Sequence, residues 1–251
     1  MTDDQARIIT REFPEATVPA GISTYLFIQA KDPFTPESFS MPEDIARNFL
    51  ITDIKVGANS QFISTGCIPA LLFSDKAIVE NLRLDHLSVT KLLKISVTNQ
   101  AAGARRFKAS VSGPASPVSI PNPRWRTILG LGSTPVQAGS ITSINVQPQL
   151  NFAPDRLVVP SSIGERFQVL DIRTTGLDGL VWESMEKSFP GTDFGEKEAG
   201  KVHLKEPVLT AIFLSIQVKN ISDTSCNFQG AFVGEAVALD GYYKQSSTTP
   251  P

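Results

Sequence analysis

The chain has 251 residues, with 23 Lys+Arg against 25 Asp+Glu and a formal net charge of −2. That near balance gives no electrostatic footprint for nucleic acid, and in the sequence Arg105-Arg106 and Arg124-x-Arg126 are too short to count as a basic cluster. The length admits two modest domains or one large β domain. No stretch approaches the roughly 20 apolar residues of a membrane span.

Thr2 and Gln5 have the spacing of a capping box, which predicts either a short helix through about Phe13 or a mobile tail. The text VPAGISTYLFIQA, 18 to 30, is rich in β-branched and aromatic residues and reads as the first long strand, ended by Pro33 and Pro36. Ser38 to Met41 is a short strand. Glu43 to Asn48 makes one helical turn led by Pro42, and Ser161 to Arg166 does the same later. Phe49 to Val56 is a strand whose two faces are not cleanly sorted, as expected of one partly covered on both sides. Then come Gln61 to Ser64, the apolar run Cys67 to Ser74, and Ala77 to Leu84, either a short helix or an irregular strand. Thr90 to Thr98 and Arg106 to Ser112 form a β pair around the turn 99 to 103.

Residues 113 to 126 carry four prolines and read as a stiff connector, pinned by Trp125. Strands follow at Ser140 to Val146, Arg156 to Val159, Phe167 to Arg173, Gly179 to Trp182, Pro207 to Lys219 and Cys226 to Val237. In the last of these, Phe228, Gly230, Phe232 and Gly234 share one face, which implies a tightly packed partner above the glycines. Ser184 to Lys201 is polar, charged and Gly-rich, and reads as a surface loop suited to recognition. Gln245 to Pro251 reads as a disordered end.

The two halves echo each other. FTPESFSMPEDIARNFLITDI, 34 to 54, returns as FAPDRLVVPSSIGERFQVLDI, 152 to 172, with seven identities in register, all 118 residues apart. Downstream the spacing is 121: Ile95, Val97 and Asn99 match Ile216, Val218 and Asn220, while Phe107 matches Phe228 and Gly113 matches Gly234. Matches kept in order over so long a span, shifted only by three extra residues in an intervening loop, read as a tandem copy of a whole unit. The expected fold is therefore all-β, two tandem, internally duplicated β-sandwiches. Immunoglobulin-like and jelly-roll plans are both open, and the lack of a Cys, Trp, Cys spacing favours the jelly roll. The boundaries follow: an N-terminal helix or tail over 1–16, sandwiches over 17–113 and 135–240, a Pro-rich linker over 114–134 and a tail over 241–251.

No catalytic signature emerges. His86 and His203 lack ligand-spaced Asp or Cys neighbours and read as surface or strand-edge histidines. Gly195-x-x-x-x-Gly200-Lys201 lacks the Ser or Thr and the strand-to-helix setting of a phosphate loop, and Asp193-Phe194-Gly195 lacks the other kinase elements. Asp53 and Asp171 recur in mid-strand and are expected to be carboxylates bonded to backbone N–H groups. Asp178, Asp193, Glu196 and Glu198 could ligate calcium but lack the spacing of a calcium loop, so solvated loop charge is expected. Asn220-Ile221-Ser222 matches a glycosylation sequon, without consequence unless the chain is secreted, and no signal peptide is expected. Cys67 and Cys226 occupy non-equivalent places and read as free buried thiols in a reducing compartment.

With its paired AG…IQ…F-x-P…P-x-x-I-x-x-x-F-x-x-x-DI and I-x-V-x-N…F…G patterns, the chain resembles the double jelly-roll major capsid proteins of icosahedral viruses and phages, especially those with an internal membrane. The resemblance spans about Val18 to Leu239 in plan and duplication, not in a specific motif. It implies a non-enzymatic virion protein, made in the host cytoplasm, whose homotrimers form pseudo-hexagonal capsomers. It implies contacts with neighbouring capsomers, with other virion proteins such as vertex proteins, and with an internal membrane near the N-terminus. It carries over no functional residue, cofactor, metal or specific nucleic acid. The alternative is a tandem carbohydrate-binding or adhesin-like module using the loop Ser184 to Lys201.

Overall fold

Short runs of β-branched and aromatic residues, broken by Pro and Gly, give an all-β protein of antiparallel sheets. The computed structural model describes residues 7–62, 66–77, 82–115, 124–174, 188–198, 207–210 and 212–237. The chain divides into two units, one made of Met1–Gln61 and Pro69–Pro121, the other of Phe62–Ile68 and Asn122–Pro251.

The first unit contains β1 (Ile8–Glu12), β2 (Ala16–Val18), β3 (Ser23–Gln29), β4 (Ser38–Ser40), a single helical turn α1 (Glu43–Ala46), β5 (Phe49–Val56) and β6 (Asn59–Ser60). After β7 (Ile68–Pro69) comes a 3-10 turn, Ala70–Phe73, then β8 (Leu92–Asn99), β9 (Arg105–Phe107) and β10 (Ser110–Pro114). One sheet runs β1-β10-β4, and Phe34 adds a bridge to Leu87. The other runs β3-β8-β5-β6, with β7 also on β5, while β2 pairs β9.

The second unit contains β11 (Arg124–Val136), β12 (Ile141–Val146), β13 (Asn151–Val158), α2 (Ser161–Gly164) and β14 (Phe167–Thr174). It ends with β15 (Phe189–Pro190), a 3-10 turn over Gly191–Phe194, β16 (Leu214–Asn220) and β17 (Cys226–Val237). Its sheets run β11-β17-β13 and β12-β16-β14-β15, and Phe152 bridges Val208 as Phe34 bridges Leu87. Both sheets feed one core: Leu129, Phe152 and Phe232 from the first meet Ile144, Phe167 and Ile216 from the second. That shared core gives the unit β-sandwich character.

Pairing and packing in the two units coincide at fixed spacing. Ala16 opposes Phe107 and Thr134 opposes Phe228. Phe49 meets Phe107 edge to face at 5.2 Å and 83°, and Phe167 meets Phe228 at 5.1 Å and 83°. Gly21 and Gly139 both turn the chain with φ of 69° between two strands.

Four expectations need correction. Residues 8 to 12 form an edge strand on β10, not a helix, because the ladder to Pro114 through Ser110 outweighs a marginal capping signal. Only Ile9 of the Ile8-Ile9 pair is buried, the period of a strand. The connector ends earlier than 134: prolines crowd 114 to 123, whereas 124 to 136 pairs with β17 along an edge where Pro135 is tolerated. The first sandwich is not continuous over 17–113, since Phe62 and residues 66 to 68, the last of them the first residue of β7, group with the second unit, where the Cys67 carbonyl accepts from the Gly132 N–H. The mixed faces of Phe49 to Val56 arise from a bulge between Ile51 and Asp53, which reverses the inward phase mid-strand; β14 repeats it between Val169 and Asp171.

The strand foreseen over 18 to 30 is cut at Gly21 into β2 and β3, and the one over 106 to 112 is split so that β9 joins β2 and β10 joins β1 and β4. The expected strand Gly179 to Trp182, residues 78 to 81 of the segment Ala77 to Leu84, the C-terminal tail and the side chain of Trp125 lie outside the described residues.

Candidate functional site

Asp53 and Asp171 recur in mid-strand, on β5 and β14. Both sit just past the strand bulge. Asp53 accepts from the Ser60 hydroxyl at 2.7 Å and pairs with Lys55 at 3.3 Å. Asp171, 7% exposed, pairs with Arg173. Among the described residues their partners are side chains two or seven residues away, not the expected backbone N–H groups. Asp53 ties β6 to β5, and Asp171 pairs within β14.

A second pair of carboxylates escaped sequence reasoning. Glu196 is 1% exposed and accepts from the Ser161 N–H at 2.8 Å and its hydroxyl at 2.7 Å. In the first unit Asp75 accepts from the Glu43 N–H at 3.1 Å. Each closes the open N-terminal turn of α1 or α2, where a backbone donor lacks an intrahelical partner. Glu196 is therefore no solvated loop charge. Nor is its segment a free loop, since Gly191 and Phe194 are buried and the Phe194 carbonyl accepts from the Val159 N–H. Glu198 receives Arg156 on its backbone carbonyl. No group of three His, Cys, Asp or Glu able to hold a metal occurs among the described residues. Asp178, His203, Gly200, Lys201 and residues 184 to 187 lie outside them. His86 Nδ1 lies 3.4 Å from the Thr35 hydroxyl.

Asn99 and Asn220, both 0% exposed, hold the turns that follow β8 and β16. The Asn99 amide donates to the carbonyls of Val18 and Gly103 and its oxygen accepts from the Ala101 N–H. Asn220 does the same with Val136, Thr224 and Ser222. The sequon asparagine thus has both amide hydrogens committed in the interior. Its only sequence signal was recurrence ahead of a Gly- or Ser-containing turn.

The two thiols differ. Hydrogen bonding with Ser222, aided by the Arg166 guanidinium at 3.5 Å, outweighs burial and draws the Cys226 thiol below its ordinary value. Burial pushes Cys67 up. In ultraviolet thiolate titrations of Cys67→Ala and Cys226→Ala variants, the thiol of Cys226 is expected to ionise at lower pH; the reverse order would refute this assignment.

Among the described residues each unit has a concave surface. The first, about 680 Å³, is lined by Arg47, Arg105, Arg106 and Lys108 together with Glu15 and Asp44. The second, about 660 Å³, places Asn145, Gln147 and Gln149 beside Thr210 and Phe213. Exposed aromatics lie on β3 of the first unit, where Tyr25 and Phe27 are 62% and 58% exposed and Lys94 Nζ sits 3.8 Å from the Tyr25 ring centroid. No protein-family profile, curated protein or solved structure matches the chain.

Proposed function

We propose that the chain is a structural virion protein, a double jelly-roll major capsid protein whose homotrimers form pseudo-hexagonal capsomers of an icosahedral shell. The observation that carries this reading is the pair-for-pair agreement of the two units. The strand orders β1-β10-β4 and β3-β8-β5, with Phe34 bridged to Leu87, recur as β11-β17-β13 and β12-β16-β14, with Phe152 bridged to Val208. A jelly roll sets four strands in each of two sheets; the second unit pairs β11-β17-β13, with Val208 bridged beside β13, and β12-β16-β14-β15, and the recurrence of this order in the first unit supports duplication of one ancestral unit. A duplicated unit lets three chains present six near-equivalent lateral faces, so one gene product can tile a closed shell.

The β3 face supports self-association. Its inward residues, Leu26 and Ile28, have apolar counterparts in Ile144 and Val146, whereas the outward Tyr25 and Phe27 are replaced by Ser143 and Asn145. Two aromatic rings left in water on one copy only are costly unless a partner covers them, and such rings are enriched in interfaces. Sedimentation is expected to show trimers or larger assemblies, and Tyr25→Ser with Phe27→Asn, the residues of the other unit, is expected to shift them toward monomer. A wild-type chain that stays monomeric at high concentration and native salt would defeat the capsid reading.

A tandem carbohydrate-binding module is the second reading. It is favoured by the second cleft, where the amides of Asn145, Gln147 and Gln149 stand near the half-exposed Phe213, the pairing of planar amides and an aromatic ring that suits a sugar. Glycan-array binding that is lost on Phe213→Ala, with no assembly detected, would select it.

A further inference from the structure

The cleft of the first unit is built by α1 and, some sixty residues later, by β9 and the residues that follow it. Arg47 closes α1, Arg105 and Arg106 open β9, and Lys108 stands between β9 and β10. Four cations share this concavity with two carboxylates, Glu15 and Asp44. Glu15 is divided between Arg106 and Lys108, and Arg47 leans away to Glu43 at 3.4 Å. Among the described residues the Arg105 side chain has no hydrogen-bond or ion-pair partner. The concavity is thus left with an excess of positive charge and one uncommitted guanidinium fork.

The fold does not require these cations. At the matching places of the second unit, 118 residues on for Arg47 and 121 for the rest, stand Glu165, Cys226, Asn227 and Gln229. The flanking apolar residues are kept, Ile45 as Ile163 and Phe107 as Phe228. Like charges gathered in one hollow repel each other, and the repulsion is relieved when an anion is bound between them. Arginine forks match the oxygens of phosphate in paired hydrogen bonds, and a volume of about 680 Å³ has room for more than one phosphate group.

We propose that this cleft binds a phosphate-type oxyanion, with Arg105 as its principal ligand and Arg47, Arg106 and Lys108 around it. The proposal does not depend on the capsid reading. Two sources share this chemistry, a free polyphosphate and the backbone of a nucleic-acid strand.

The test is calorimetric titration of the full chain at low ionic strength with inorganic pyrophosphate and, separately, with a short oligothymidylate. Binding is expected to weaken about tenfold in Arg105→Ala, the loss of one charge-assisted bidentate contact. It is expected to weaken steadily with added salt as screening grows, and to be unchanged in Lys31→Ala, an exposed cation outside the cleft. Unchanged thermal unfolding of Arg105→Ala shows that the loss is not one of folding, and Arg105→Lys is expected to restore part of the affinity. Binding of pyrophosphate alone assigns the ligand to free anions, and binding of the oligonucleotide alone assigns it to a strand backbone. Binding of neither probe, or binding that survives Arg105→Ala, overturns the proposal.

Discussion

Replacing Gly113 or Gly234 by Ala is expected to destabilise the affected unit by about 3 kcal/mol or more, among the largest effects of any single methyl in the chain. A β-carbon on Gly113 would stand 1.9 Å from the Thr35 carbonyl oxygen and 2.8 Å from its carbon. On Gly234 it would stand 2.1 Å from the Ala153 oxygen and 2.8 Å from the Pro154 Cα. The obstacle in both cases is backbone, which cannot swing aside as a long side chain can. In the first unit that backbone is locked, because the Thr35 N–H donates to the Pro114 carbonyl and the Glu37 N–H to the Ser112 carbonyl, on either side of the glycine. Relief therefore requires breaking those bonds or displacing β10 from β4. Gly103→Ala is the matched control: nothing lies within 4 Å of its added carbon, so a change within about 0.5 kcal/mol is expected. Urea unfolding at unchanged m-value measures both, and Gly113→Ala behaving like Gly103→Ala would show that the close approach is not real.

Asn99→Ala and Asn220→Ala come next, each expected to cost about 3 to 4 kcal/mol. Every such change deletes a side chain that spans three backbone groups in an interior site. Without it the Val18 and Gly103 carbonyls and the Ala101 N–H lose their partner in the first unit, as do the Val136 and Thr224 carbonyls and the Ser222 N–H in the second. An orphaned buried polar group costs roughly 1 to 3 kcal/mol, and water entering the vacated space returns part of that. Asn99→Asp separates bonding from volume. It keeps the shape but sets a carboxylate with no N–H donor against two carbonyl oxygens, so it is expected to be at least as damaging as Ala in equilibrium unfolding. An Asp variant within about 0.5 kcal/mol of wild type would show that amide donation does not hold this turn.

These two results bear on the functional reading because they test the same claim in both halves. Gly113 and Gly234 lie 121 residues apart, as do Asn99 and Asn220, and in each pair the partners recur as well. Equal penalties in the two units would support descent from one module, the premise of the capsid proposal. A large penalty in one unit and none in the other would mean that the likeness is of sequence more than of mechanics.

Much of the architecture was legible because its causes are local or recurrent. β-branched runs, the prolines before α1 and α2, and glycines between strands announced elements whose bounds the structure largely keeps, such as Phe49–Val56 and Cys226–Val237. What was misread depended on partners distant in the chain. Ile8 to Glu12 had weak helical signals and no local reason to be extended; β10, a hundred residues on, makes it a strand. Thr52 looked like an ordinary strand residue, and only pairing with β8 exposes the bulge beside it. Glu196 looked like loop charge until α2 presented the Ser161 N–H to it.

The same division holds for the sites. By itself the sequence determined that the chain is built of strands, that its halves repeat in order, and that it carries no familiar catalytic motif, since periodicity, turn chemistry and motif spacing are properties of neighbouring residues. Only the tertiary structure decided which glycines meet backbone, that Asn99 and Asn220 face inward, and that Arg47, Arg105, Arg106 and Lys108 line one hollow. Charge and shape at a surface depend on which distant segments the fold sets side by side, and pairing of strands far apart in the chain is what sets them there.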